Sequence, residues 1–271
     1  MRWLILCLLC LVVTAPAALA EEDAVFVDTS KINTNDPPTL EPGQVEIQPA
    51  YLFFTSSGNY DDTGALQPGG DFFQDTAGVQ VTVGVVDDFD VNLFLGRTGG
   101  TDAIDRTAGL NDVILGTRWR FYDEQASGLS MAYLTYLTVP AAPQAPVALS
   151  QGFTSLQHRL AVSKITGRWN LIADLGCTHK LGANSLGAEG GLSANLAAGY
   201  QIDDGVQPLI ELNYGSLHFE GGPPSESLAI TGGVMFYPAE NLRLNFGVSQ
   251  TVAGRNSPYG LTGLFFVTFS P

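Results

Sequence analysis

The sequence predicts an all-β fold: a transmembrane antiparallel β-barrel of about twelve strands, with short periplasmic turns and longer extracellular loops. Three observations predict it. From residue 44 to the end, apolar residues alternate with small polar ones, the period of a strand that shows different faces to different surroundings. Hydrophobic residues make up 45% of the chain and charged ones only 14%. Yet no apolar run of about 20 residues follows residue 20, so no transmembrane helix is encoded. The connections between alternating runs are short and long in turn, as expected for turns on one side of a membrane and loops on the other.

The elements follow in order. Residues 1–20, "MRWLILCLLCLVVTAPAALA", carry Arg2, an apolar stretch from Leu4 to Val13 and the small-x-small site Ala18-Leu19-Ala20, the pattern of a secretory signal peptide. Leu6 precedes Cys7 and Leu9 precedes Cys10, so the small residue that a lipoprotein cysteine requires is missing. Once those cysteines leave with the peptide, Cys177 stands alone and no intramolecular disulfide forms. Residues 21–43 are acidic and proline-bearing without periodicity, an extended lead-in that is either mobile or tucked into the lumen. Residues 44–271 form the barrel. Strands are expected to begin near 44, 77, 89, 112, 128, 154, 168, 189, 206, 227, 240 and 258. Short connections fall at 87–89, 123–127, 166–168, 203–205 and 238–241, and longer ones at 56–76, 97–111, 140–153, 180–188, 216–226 and 250–257.

The stretch "DVILGTRWRFYDE" shows the two faces most clearly. Val113, Leu115, Thr117, Trp119 and Phe121 alternate with Asp112, Ile114, Gly116, Arg118 and Arg120. A soluble β-sandwich also alternates, but its solvent face would be rich in lysine and glutamate. Here that face is mostly glycine, serine, asparagine, threonine and alanine, which suits a crowded interior. Trp119, Phe121, Trp169, Tyr200, Phe236 and Phe269 lie beside the short turns, and Phe53, Tyr214 and Tyr259 toward the loops. Two such aromatic bands are expected where rings sit at the membrane boundaries.

The segment "GLNDVILGTRWRFYDE", followed by "LSMAYLTYLTVP", resembles a motif of the outer-membrane transporters assigned to the meta-pathway of phenol degradation. The motif runs Gly-x-x-Asp-aliphatic-x-aliphatic-Gly-x-basic-aromatic-basic. The likeness extends from "PGQVEIQPAYLFF" at 42 through "LAVSKITGRWNLIADLG" to the closing "NLRLNFGVSQTVAGRNSPYGLTGLFFVTF". Two departures stand out: Pro140 is followed by Ala141-Ala142 where the family has Thr-Gly, and Phe269 is followed by Ser270-Pro271. The resemblance implies an outer-membrane barrel with a channel or uptake role.

Charge and motifs narrow the function. A net charge of −15 argues against nucleic-acid binding, which draws on lysine and arginine. Some twelve-stranded barrels are phospholipases, but His158, His179 and His218 sit in "LQHRLAV", "GCTHKLG" and "GSLHFEG", without the His-x-Ser-Asn-Gly pattern of that family. The chain therefore reads as a non-enzyme with no catalytic residues and no cofactor. The carboxylates of "NYDDTG" (59–64) and "DDFD" (87–90) lack calcium-loop spacing, so no metal site is assigned, although acidic loops could bridge to lipopolysaccharide through divalent cations. The lumen charges are the better lead. Arg118, Arg120, Arg159, Arg243, Asp112, Asp174 and Glu211 fall on the polar face; they either pair across strands or select solutes by charge. Ile114, Leu134, Phe94, Leu209, Leu264 and Phe266 point inward with them. The expected function is an outer-membrane channel or transporter that passes or binds a small solute, aromatic or hydrophobic in part. The alternative is a non-conducting structural or adhesion barrel acting through its acidic loops. Expected partners are outer-membrane lipid and lipopolysaccharide, the barrel-assembly machinery and the solute.

Overall fold

The computed structural model describes residues 31–124, 127–143, 145–150, 152–182 and 188–271. The expected signal peptide and the first part of the lead-in, residues 1–30, lie outside them. The strands are β1 (Val45–Tyr60), β2 (Leu66–Val86), β3 (Phe89–Thr101), β4 (Arg106–Leu110), β5 (Val113–Glu124), β6 (Leu129–Val139) and β7 (Thr154–Thr166). They continue with β8 (Trp169–Leu181), β9 (Ala188–Tyr200), β10 (Val206–Phe219), β11 (Ser225–Ala239), β12 (Leu242–Arg255) and β13 (Ser257–Phe269).

Apart from β4 and β5, which both pair with β3 and not with each other, each strand pairs antiparallel with its sequence neighbours, and β1 pairs with both β2 and β13, so the sheet closes on itself. β3 meets β4 near the loop end and β5 below it. Asn111 and Asp112 step between β4 and β5, which together make one interrupted stave of a twelve-stave wall. Closure gives the staves a paired neighbour on both sides, except along β4, which pairs only with β3, and so removes the sheet edge that apolar surroundings would not tolerate. The core lies inside this wall rather than between two sheets, and the sandwich reading falls. A 13-residue strand such as β8, at ~3.3 Å per residue and a tilt of ~40°, stands roughly 33 Å tall, enough for an apolar band of ~25 Å.

Side chains divide as the alternation predicts. Leu115, Trp119 and Phe121 are exposed on the outer face, Trp119 by 54%, while Arg118 turns into the lumen beside Asp90. Trp169 packs on Tyr200 at 4.9 Å beside the short turns, and Phe236 and Phe269 lie exposed at the same end. Inside, Leu134, Leu209 and Leu264 are buried.

The loop side departs from expectation. The loop expected at 56–76 is mostly strand, because β1 runs to Tyr60 and β2 begins at Leu66. Residues 66–71 are exposed on both faces, so no apolar pattern marks them and only the pairing with β1 holds them extended. The loop at 250–257 shrinks to Asn256, which adopts φ 46° between β12 and β13. The described residues of the expected 140–153 connection (140–143, 145–150, 152 and 153) remain a loop.

Candidate functional site

The lumen is occupied by the described part of the chain's own lead-in, from Lys31 onward. Residues 31–40 cross it as an extended strap, and the wall grips the strap's main chain with carboxylates. Glu211 on β10 accepts hydrogen bonds from the N–H groups of Ile32 at 2.7 Å, Asn33 at 3.0 Å and Thr34 at 3.1 Å. It also accepts from the Thr34 hydroxyl at 3.1 Å and the Asn213 amide at 3.3 Å. Successive N–H groups converging on an anion form a nest, and charged acceptors make such bonds stronger than neutral ones.

The next carboxylate along the strap is Asp174 on β8, fully buried. Its Oδ2 accepts the N–H of Asn35 at 2.8 Å and the Asn195 amide at 3.1 Å, and its Oδ1 pairs with Arg159 on β7. Tyr136 on β6 donates its hydroxyl to Asn35 Oδ1 at 2.8 Å. Farther on, Asp36 pairs with Arg118 at 3.1 Å, and Arg118 pairs with buried Asp90 on β3 at 2.8 Å. Asp90 also accepts the N–H of Leu40 at 3.4 Å. Gly43 then donates to Gly84 O at 2.8 Å and delivers the chain to β1.

One apolar knob fixes the strap's depth. Ile32 packs with Leu209, Met235 and Leu264. The wall has glycine at 247 where Ile32 lies; a Cβ there would come within 2.5 Å of its side chain.

At the opposite mouth the 140–153 loop folds onto the inner face. Val147 and Leu149 pack with Ala142 and Phe72, Val147 N–H donates to Thr107 Oγ1 at 2.9 Å, and Gln74 donates to Leu149 O at 3.4 Å. Between strap and wall remains a cavity of about 580 Å³. Glu46, Gln48, Gln80, Thr82, Asn92, Arg118, Tyr136, Arg243 and Phe266 line it on the wall side.

The seven residues singled out from the sequence are thus distributed unevenly. Arg118, Arg159, Asp174 and Glu211 meet around the strap. Arg243 faces the cavity, 3.9 Å from Glu46. Arg120 lies at the turn end, paired with Asp88 at 2.6 Å and Asp123 at 3.2 Å. Asp112 lies at the loop end, where its Oδ1 accepts the N–H groups of Ala141 and Ala142, both at 2.9 Å. Arg120 and Asp112 therefore anchor a turn and a loop, away from the strap. Asp90, Asp36 and Asn92 escaped sequence reasoning. Asp90 was legible in principle, since it stands directly across from Arg118 in the β3–β5 register, but "DDFD" reads first as a turn.

The remaining candidates have ordinary roles. Asp61 accepts from Thr63 and Ala65 within the β1–β2 turn. His158 stacks on Tyr133, whose hydroxyl lies 2.6 Å from its Nδ1 on the exposed outer face.

A single antiparallel wall with an apolar exterior, a polar interior and short turns at one end defines a barrel of the outer-membrane type. The chain belongs to the family described as "Putative MetA-pathway of phenol degradation", whose model matches residues 58–266. Comparison with curated proteins finds no match. Among solved structures, the chain is similar to an outer membrane channel from Pseudomonas putida F1, with TM-score 0.75 and 15% identity over 89% of this chain and 100% of that one. A looser likeness links it to the translocator domain of autotransporter NalP from Neisseria meningitidis, with TM-score 0.48 and 12% identity over 86% and 90% of the two chains. The KdgM porin matches at TM-score 0.49 with 8% identity over 83% and 99%.

Proposed function

We propose that the protein is an outer-membrane channel that binds and passes a small solute through its lumen, with its own residues 31–43 narrowing the path. The observation that carries this reading is the cavity of about 580 Å³ left between strap and wall, a volume in the ~300–1,000 Å³ range of small-molecule sites. Its lining mixes polar groups with Leu134, Tyr136 and Phe266, which suits a solute with an apolar or aromatic part. The family description and the similar channel from Pseudomonas putida F1 point the same way. Export by the segment at 1–20 and insertion by assembly machinery into lipid and lipopolysaccharide complete the reading.

The four lumen-side arginines each have a carboxylate partner, so they shape the field as pairs rather than as a ring of bare cations. Passage requires binding and release only, with no bond made or broken.

One feature favours the second reading, a non-conducting structural barrel: the strap and the 140–153 loop both occupy the interior. Planar-bilayer recordings separate the two. The channel reading expects conductance from the mature chain, rising severalfold when residues 21–43 are deleted. Silence from both forms, with the barrel shown to be folded and inserted and with no solute flux into liposomes, would overturn it in favour of the structural barrel.

A further inference from the structure

The cavity's charges and its neutral polar groups are arranged differently, and the difference bears on what it binds. Lys31, Arg118 and Arg243 supply cations on or beside it, and Asp36, Glu46 and Asp90 supply carboxylates. Their numbers match. Arg118 is held by Asp36 and Asp90 together, Arg243 faces Glu46, and Lys31 donates to Gln207 at 3.2 Å. An entering carboxylate would shed its hydration and find every cation already engaged, and a buried charge without a partner is strongly disfavoured.

The amides present the opposite situation. Gln48, Gln80 and Asn92 line one wall on consecutive strands β1, β2 and β3, and Gln48–Gln80 and Thr82–Asn92 are direct register pairs. Gln48 donates to Thr268 at 2.8 Å and Gln80 to Thr82 at 3.4 Å. Their Oε1 atoms accept nothing among the described residues, and there Asn92 makes no side-chain hydrogen bond at all. Asn92 lies across the inner face of Gly116; a Cβ there would come within 2.6 Å of its Nδ2. Glycine at 116 thus leaves room for the Asn92 amide beside the cavity. Donor and acceptor positions stand open on this wall, with Phe266 and Tyr136 supplying ring surface elsewhere in the same cavity.

We infer that the cavity is a binding site for neutral solutes, whose hydroxyl or amide edge is read by Asn92, Gln80 and Gln48, and that it discriminates against the corresponding carboxylates. The inference rests on the channel reading and adds to it the polarity class of the solute and the residues that determine it. A neutral edge exchanges hydrogen bonds with water for hydrogen bonds with amides, which is nearly balanced. An anion has no equivalent exchange.

A matched pair tests it: phenyl β-glucoside and phenyl β-glucuronide, which share a ring and a sugar and differ by one carboxylate. Calorimetric titration into the detergent-folded mature barrel should show the glucoside binding at least about tenfold more tightly, a difference of ~1.4 kcal/mol. Asn92→Leu should lower the glucoside affinity roughly three- to tenfold, the equivalent of one hydrogen bond, while the glucuronide stays weak. Gly116→Ala, which displaces the Asn92 side chain without removing it, should reproduce part of that loss. Heat-modifiable migration verifies that each variant is folded. Equal or tighter binding of the glucuronide would overturn the inference, as would glucoside affinity unmoved by Asn92→Leu. Failure of both ligands to bind a barrel that conducts ions would overturn it and leave the channel intact. Failure of binding in a barrel that also never conducts would remove both readings.

Discussion

Glu211 makes one carboxylate the acceptor for three consecutive main-chain N–H groups. Glu211→Gln keeps the shape but replaces one acceptor oxygen with a donor facing donors, leaving strap N–H groups unsatisfied at about 1–3 kcal/mol. The expected outcome is proteolysis within residues 31–43 that is faster by tenfold or more, read from a time course on the folded barrel. At Asp174 the stake is the wall itself. Arg159→Ala strands a fully buried carboxylate and should lose roughly 3–5 kcal/mol, measured by urea unfolding in lipid, whereas Arg159→Leu with Asp174→Leu should lose less. Asp61 shows the effect of hydrogen bonds on an exposed group. Donation from the Thr63 side chain, then from Gln67 and the Ala65 backbone, holds its carboxyl well below the ordinary carboxylate range. A depressed folded value stabilises the β1–β2 turn above the unfolded value, and that contribution disappears as pH falls through the folded one. Carbon-detected NMR titration should find Asp61 still ionised at a pH where a free aspartate side chain is already protonated; titration of Asp61 in the ordinary aspartate range would contradict the geometry.

The strap and the 140–153 loop are the elements that turn a wall into a site. Ile32 seats the strap over Gly247, so Gly247→Ala should displace the knob while the twelve staves persist. The measurement is bilayer conductance, expected to rise toward that of the strap-deleted form. For the loop, Asp112→Ala removes the acceptor for two N–H groups, and amide exchange at Ala141 and Ala142 should accelerate. The staves were largely legible in the sequence, because alternation reports burial on two faces. Of the site, the wall's half was legible: Arg118, Arg159, Asp174 and Glu211 appear as charges on a small-residue face. The strap's half was not. Residues 31–40 have no period because they have no pairing strand, and what they bury is main chain, which is the same in every sequence. Asn92 was unreadable for another reason: an amide on a lumen face looks like filler until the neighbouring charges are seen to be paired.

At the scale of the whole molecule, the wall and its contents are separable. Closure depends on strand pairing around the barrel, from Tyr51–Phe265 at the β1–β13 seam to Asp90–Arg118 between β3 and β5, and none of the strap's bonds takes part in a ladder before Gly43. Removing residues 21–43 should therefore leave strand content and heat-modifiable migration intact, checked by circular dichroism and gel shift. It should cost some stability, since a docked segment that binds only the folded wall stabilises it.

The distance along the chain between strap and grip sets an order of assembly. Ile32 reaches a carboxylate 179 residues later and Asn35 one 139 residues later. The strap thus has no seat until β8 and β10 exist and stand in register. Until then the growing wall carries its strap undocked, and the lumen fills from within only near the end. A barrel caught just before that moment would be complete in outline and hollow.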